Sequence, residues 1–360
     1  MTTILVTGSG GPLGVNLTRA LAAGPERVRL IGTDANRWHL PLSECDETYQ
    51  IPYARDRDGY AAAVADIIAG EGVDAVMPTH PVEVRAVAQL RDDGRLAAGT
   101  ALPRTEVIEL ADSKAATYEA LAAAGVAVPK TVLLENEADV ARALAELGAP
   151  DTPVWVRGAG TPGSGIGGAA LPCRSQKVAV GWIEHHNGWG AMAASEYLPG
   201  ANLSWMALFN EGVLIAAGCR ERLEYVLPHV APSGITGAPA VSCTIWRDDV
   251  ARTGEAAVRA IDDRPHGVYF VDLKEDAEGL PRVTEINAGR CGTTVRAYVE
   301  AGCNFPWLLA RLALGEAVAP DGEPNAAVEA GVYWVRTLDC GPVALRGADA
   351  FERYPKRGVD

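Results

Sequence analysis

Residues 268–290 read VYFVDLKED, a turn, then PRVTEINAGR, and their acidic side chains are spaced for metal chemistry. Side chains alternate along an extended strand, so Asp272 shares a face with Phe270, and Glu285 with Asn287. A hairpin turn centred on Glu278 and Gly279 sets Asp272 directly opposite Glu285. Two carboxylates side by side repel unless a cation lies between them. Asp, Glu and Asn make a hard oxygen set that suits Mg²⁺, with Mn²⁺ as the alternative metal. The same residues also fit a solvated hairpin with its acidic side chains outward.

Other residues upstream carry charge or conformational freedom where an anion would use it. Asp112 is expected to cap a helix running to about Ala124 and closed by Gly125. Lys114 then sits in its first turn, against the helix dipole, which weakens a purely structural reason for it. After Arg157 comes GAGTPGSGIGG (158–168), with six glycines in eleven residues. The backbone N–H groups around Gly163, Ser164, Gly165 and Gly167 suit an anion nest, and a flexible linker is the alternative. On the expected strand CRERLEY, Arg220 and Arg222 share a face suited to anionic oxygens, or are simply solvated. His185 and His186 have no acidic or Cys partners at metal spacing and read as surface residues.

The elements around these residues are of two kinds. Residues 1–108 alternate strand and helix: Thr3–Thr7 extended, a Gly-rich turn at 8–14, a helix over Val15–Ala23, a strand over Arg27–Thr33 ending at Asp34, a helix over Tyr60–Ala69 and an extended Asp74–Pro78. That alternation predicts a parallel, doubly wound sheet. A Gly-rich turn followed by Asp34 about 20 residues on is also the dinucleotide fingerprint, which leaves an NAD(P)-dependent oxidoreductase open. MPTHPVEV (77–84) ends at the carboxyl edge of that sheet, making His80 and Glu83 candidate substrate neighbours beside their plainer roles as a loop His and a helix-starting Glu. A small α+β unit follows at about 126–195, with a helix over Glu137–Leu147 capped by Asn136 and a strand over Pro153–Arg157. Beyond it, Asn210-Glu211-Gly212 is a turn signal between Trp205–Phe209 and Val213–Gly218. The Pro/Gly/Ser-rich 227–239 reads as a loop near the site.

Composition fits a globular chain of two or three compact units: 360 residues, 48% hydrophobic and 22% charged. The net charge of −14 argues against a nucleic-acid partner, which needs a basic footprint. Seven cysteines without a C-x-x-C pair argue against a disulfide framework and for a reducing compartment. No apolar run reaches the ~18 residues of a membrane span and no signal peptide is evident, so the expectation is a cytoplasmic protein.

The D…(12 residues)…E-I-N pattern ending in Arg290, with DSKAATYEALAAAGVAVP, the glycine loop and SEYLPGAN (195–202) upstream in order, resembles the ATP-grasp superfamily over roughly residues 3–310. The resemblance implies a fold of mixed α/β and α+β class: an N-terminal half-Rossmann domain (1–108), an ATP-grasp domain (109–320) with a small α+β lid (126–195) and a C-terminal antiparallel-sheet unit, and a terminal segment (321–360) packing on the core. It implies ATP and Mg²⁺ held by Asp272, Glu285 and Asn287, with Lys114 reaching the phosphates. Arg157 stands where the family has Lys. Ser195, Glu196, Tyr197 and Leu198 form the hinge that carries adenine, and Asn202 stands where the family has a ribose-binding Glu. Arg290 comes one residue later than in relatives reading E-x-N-P-R and is the expected stabiliser of an acyl-phosphate, with Arg220 and Lys114 as the other catalytic candidates. The Gly-rich turn at 8–14 would face substrate. The activity implied is ATP-dependent joining of a small-molecule carboxylate and an amine, a homodimer being an open assembly. Phosphorylation of carbonate or carbamate, and ATP binding without catalysis, stay open beside it.

Overall fold

The computed structural model describes residues 1–148, 151–160, 169–338 and 353–358. Its first part runs β1 (Thr3–Thr7), α1 (Pro12–Ala22), β2 (Arg29–Asp34), β3 (Glu47–Gln50), α2 (Arg57–Glu71), β4 (Ala75–Met77) and α3 (Pro81–Asp92). The strands form a parallel sheet in the order β3-β2-β1-β4. β1 is buried along its whole length, as a strand covered on both faces must be. α1 starts at Pro12 and not at the expected Val15, because a Pro in the first turn gives up no needed N–H and arrives with a helical φ.

A helical pair, α4 (Thr105–Asp112) and α5 (Lys114–Ala123), follows. Asp112 is the last residue of α4 and not the expected cap. Ser113 caps α5, its Oγ accepting from the Ala116 N–H at 3.4 Å. The second sheet holds β5 (Thr131–Leu134), α6 (Glu137–Glu146), β6 (Val154–Gly158), β7 (Ala170–Cys173), α7 (Gln176–His185) and β8 (Met192–Ser195). It is antiparallel, in the order β5-β8-β6-β7. Asn136 caps α6 by accepting from the Ala138 and Asp139 N–H groups.

The third and largest part runs β9 (Asn202–Asn210), β10 (Val213–Tyr225), β11 (Pro239–Ile245), α8 (Asp248–Ile261), β12 (Gly267–Glu275), β13 (Pro281–Ala288), α9 (Arg296–Glu300), α10 (Phe305–Ala313) and β14 (Tyr333–Val335). Its six strands are antiparallel in the order β13-β12-β9-β10-β11-β14. Glu211 and Gly212 make the expected β9–β10 turn with φ of 50° and 90°. One face of this sheet is apolar along most of β9 and β12: Trp205, Ala207, Phe209, Tyr269 and Val271 pack with Val250, Val258 and Ile261 of α8. α8 approaches closely because Gly254 lies under the indole of Trp205, where a Cβ would come within 2.7 Å.

The other face changes character halfway along its strands. Leu208 and Met206, then Val268 and Phe270, are buried with residues of β1, α1 and α10. Beyond them the same alternation places Ser204 and Asn202 on β9, Asp272 and Lys274 on β12, and Arg220 and Arg222 on β10. The apolar half closes the core; the polar half is where the candidate site lies.

Candidate functional site

Asp272 and Glu285 are directly paired in the register of β12 and β13, and Asn287 pairs with Phe270 one row further on. The pairing is reached through a bulge. Below it Lys274 opposes Arg282 and Glu275 opposes Pro281, so the turn is centred on Glu278 alone and not on Glu278 and Gly279. The extra residue is Thr284, whose Oγ1 donates to the Asp272 carbonyl at 3.1 Å. A bulge of this kind re-aims the side chains that follow it, here Glu285 and Asn287.

Each of the three oxygen-bearing side chains meets a cation. Lys114 Nζ donates to Glu285 Oε1 at 3.2 Å. The Arg222 guanidinium contacts Asp272, and Arg290 donates to Asn287 Oδ1. Partial burial acting alone would raise the Glu285 carboxyl, but Lys114, Arg290 and Arg157 outweigh it and hold it below its usual range. Burial pushes the Asp272 carboxyl up, with Arg222 pulling against it and Glu285 adding to the rise. Two carboxylates and an amide oxygen on one surface form a hard set that fits Mg²⁺, an ion that keeps waters and phosphate oxygens as its remaining ligands. Among the described residues no group of three or more His, Cys, Asp and Glu side chains is placed to hold a metal.

The late position of Arg290 is resolved by Gly289. Its φ of +82° turns the chain back after β13, its N–H donates to the Val268 carbonyl at 2.8 Å, and a Cβ there would come within 2.9 Å of Val84. Arg290 thereby returns to Asn287 despite the extra residue.

α5 positions two groups against β13. Lys114 and Tyr118 are one helical turn apart and so share a face; Lys114 reaches the Glu285 side chain, while Tyr118 OH donates to the Thr284 carbonyl at 3.0 Å. Arg157, from β6, donates to the Tyr118 hydroxyl and, at 3.5 Å, to the same carbonyl. The small sheet is thus tied to the large one at the rim of the acidic pair. Tyr118 was missed by the sequence reading; its position four residues after Lys114 was the available signal. Gly163, Ser164, Gly165 and Gly167 lie outside the described residues.

The expected hinge is the segment leaving β8. Ser195 and Thr131 share a hydroxyl hydrogen bond of 2.9 Å, and Glu196 is doubly bound to Lys130, its N–H donating to the Lys130 carbonyl and its carboxylate accepting from the Lys130 N–H. Tyr197 packs against Trp155 at 6.3 Å between ring centroids, and Leu198 is buried. Asn202 begins β9, and its Oδ1 accepts from Lys274 Nζ at 3.1 Å. Lys274, also missed from sequence, donates to the Gly200 carbonyl at 2.9 Å as well. Its place two residues after Asp272 on one strand face was the signal.

In the first sheet, the Gly-rich turn is tightly packed. A Cβ on Gly10 would fall 2.0 Å from the His39 carbonyl oxygen, and one on Gly14 2.3 Å from that of Gly8. Asp34 accepts from the Gly10 N–H at 3.3 Å and the Asn36 N–H at 2.9 Å, and lies 3.5 Å from His39. Its oxygens close the loop and are not displayed to a ribose. His80 caps α3, its Nδ1 accepting from the Val82 N–H at 3.3 Å; burial, then the charge of Arg290, lowers its pKa. Asp112 pairs with Arg85 of α3 at 3.1 Å. His185 and His186 pack on Trp182 in the small sheet's helix layer.

No protein-family model matches the sequence, and a search of the curated proteins gives no match. Solved structures do resemble it. An L-amino acid ligase from Bacillus licheniformis superposes with a TM-score of 0.62 at 17% identity, over 87% of this chain and 74% of that one. The biotin carboxylase domain of the Hydrogenobacter thermophilus 2-oxoglutarate carboxylase, solved with MgADP and bicarbonate, gives 0.67 at 18% over 92% and 73%. The N5-carboxyaminoimidazole synthase of Aspergillus clavatus, in complex with ADP and 5-aminoimidazole ribonucleotide, gives 0.66 at 15% over 91% and 79%. With its parallel four-stranded sheet and two antiparallel ones arranged as in these enzymes, the chain has the ATP-grasp fold.

Proposed function

We propose that this protein is an ATP- and Mg²⁺-dependent ligase that activates a carboxylate as an acyl-phosphate and joins it to an amine, releasing ADP and phosphate. The observation that supports it most is the Asp272–Glu285 pair on β12 and β13, bordered by Asn287 and met by Lys114, Arg222 and Arg290. Such a surface is built for a ligand that brings both metal and negative charge. Bound at Asp272, Glu285 and Asn287, Mg²⁺ would supply charge neutralisation at phosphate oxygens.

The chain's own residues do the rest. Lys114 and Arg157 neutralise phosphate charge, the hinge at Ser195–Leu198 offers backbone groups to the base, and Asn202 offers its amide to the ribose. Arg290 steadies the oxygens of the acyl-phosphate. A carboxylate oxygen of the substrate attacks the γ-phosphorus, breaking its bond to the β-γ bridging oxygen. The amine then attacks the acyl carbon, phosphate leaves and the amine's proton passes to solvent or phosphate. Catalysis is positioning and electrostatics, with no protein nucleophile. The division that serves this is 1–108, 109–320 with the lid at 126–195, and 321–360. The lid, tied to the large sheet through Arg157 and Tyr118, would exclude water from the intermediate.

The test is an ADP-release screen over paired amino acids and small carboxylates, bicarbonate included. ADP is expected only when carboxylate and amine are both present, falling by about 10²-fold or more in Glu285→Ala. Release with bicarbonate alone would replace this reading by carbonate or carbamate phosphorylation. MgATP binding without turnover on any pair would replace it by a nucleotide-binding module. Nicotinamide binding abolished by Asp34→Ala would replace it by an oxidoreductase.

A further inference from the structure

The acidic pair occupies one end of a polar area that continues across the sheet. Register carries the row of Glu285 and Asp272 on through Ser204 and Arg220 to Thr244. The next row carries Lys274, Asn202, Arg222 and Ser242. Arg220 is three strands from Glu285, about 14 Å between backbones at the usual interstrand spacing, too far for its guanidinium to hold a small carboxyl lying over Glu285.

Arg220 is 2% exposed and the Arg222 side chain 14%. Arg222 has Asp272 for a partner. Among the described residues Arg220 has no carboxylate partner: it donates to Thr294 Oγ1, and its guanidinium lies 5.8 Å from the Phe270 ring and 5.6 Å from that of Tyr298. Its Nε, the Nε of Arg222 and Ser242 Oγ are buried without hydrogen-bond partners among the described residues. Burial is the first influence disfavouring the Arg220 charge; Tyr298 and Asp272 favour that charge, and Arg222 and Arg336 oppose it. Burying guanidinium groups without matching negative charge is costly, and the cost is met when a ligand supplies the charge.

Resting on the ligase reading above, we infer that Arg220, with Arg222 beside it, binds a second anionic group of the substrate, a carboxylate or a phosphate, apart from the carboxyl that is activated over Asp272 and Glu285. The substrate class is then a bifunctional one: an amino acid, a short peptide or a phosphorylated amine in place of a simple amine. A guanidinium holds either oxyanion through paired N–H donors, and the β10–β11 loop at 226–238 begins four residues after Arg222.

The test uses the full chain with MgADP and measures binding by calorimetry. The probes are glycine, L-alanine, L-glutamate and glycylglycine against their methyl esters, and O-phosphoethanolamine against ethanolamine; the acid and phosphate arms separate the two sources of charge. At least one anionic compound should bind about 10- to 100-fold more tightly than its neutral partner, as a charge-assisted hydrogen bond predicts. Arg220→Gln should erase that difference while leaving MgADP affinity within about threefold. Thr294→Val, which removes only the loop contact, should keep it. The inference is overturned if no anionic probe outbinds its neutral partner, if Arg220→Gln weakens MgADP equally, or if Thr294→Val erases the difference too. Should Arg220→Gln fail to fold, the acid-against-ester comparison on the unaltered protein decides. Failure of the ligase reading is seen separately, as absence of MgADP binding that is sensitive to Glu285→Gln.

Discussion

Glu83 is a carboxyl held far from its ordinary range. It is 7% exposed at the carboxyl edge of the first sheet, beneath Gly8, where a Cβ would come within 2.9 Å of its Oε2. Burial first, and the charge of Asp34 second, push its carboxyl from 4.5 up to about 8 against the pull of Thr7. Below about pH 4.5 folded and unfolded chains both hold the proton. As pH rises from there to about 8, the unfolded chain has lost a proton that the folded one keeps, so Glu83 makes the protein less stable with rising pH across that window. Glu83→Gln, which keeps the shape and cannot ionise, should flatten the dependence by up to about 1.4 kcal/mol per pH unit at its steepest. Urea unfolding of both proteins at pH 5.5 and 8 measures this. Parallel losses in the two would place the proton elsewhere.

At the scale of elements, the hairpin that carries the acidic pair depends on one glycine and not on another. Gly289 and Gly279 have φ of +82° and +79°, but a Cβ on Gly289 would meet Val84 while one on Gly279 meets nothing within 4 Å. Alanine at either position costs about 1–2 kcal/mol of backbone strain. Only Gly289→Ala should also displace Arg290, so ADP release should fall about 10-fold or more there and hold in Gly279→Ala. Equal activities in the two would remove Arg290 from the mechanism. With the turn centred on Glu278 alone, Asp272 meets Glu285 only through an added residue; the shared faces were legible, because strand alternation is a local rule. The Thr284 bulge was not, since it is fixed by the bond to Asp272 across the ladder and by Tyr118 and Arg157 from other elements. Ser113 was passed over for Asp112 because both are capping residues, and only the end of α4 decides between them. The Arg222–Asp272 contact joins residues fifty positions apart, which no local pattern specifies.

Across the whole molecule, the distribution of cores predicts how it comes apart. Residues of the first and third sheets are mixed in both large clusters: Leu5, Ile31 and Val64 with Trp205 and Tyr269 in one, Ile4, Val6 and Leu17 with Met206, Phe270 and Phe305 in the other. Asn304 donates to the Ala20 carbonyl at 2.7 Å, and Gln50 of β3 exchanges backbone hydrogen bonds with Pro355 and Arg357, so the chain's end also closes on the first sheet. The small sheet has a core of its own around Leu134, Val140, Val154, Val156, Ile183 and Met192. Removing the first sheet would strip one side from both large clusters, whereas the small sheet can open and leave them whole. Calorimetry should therefore show two transitions and not three. The lower, for residues 131–195, should carry about 45 kcal/mol and the upper about 200 kcal/mol, at roughly 0.7 kcal/mol per residue. A nucleotide bridging Arg157 and Lys114 would bind only while both sheets are folded, so MgADP should raise the lower transition more than the upper. A first sheet that melts alone, or a fragment ending near residue 125 that folds, would show that the shared clusters do not couple the units.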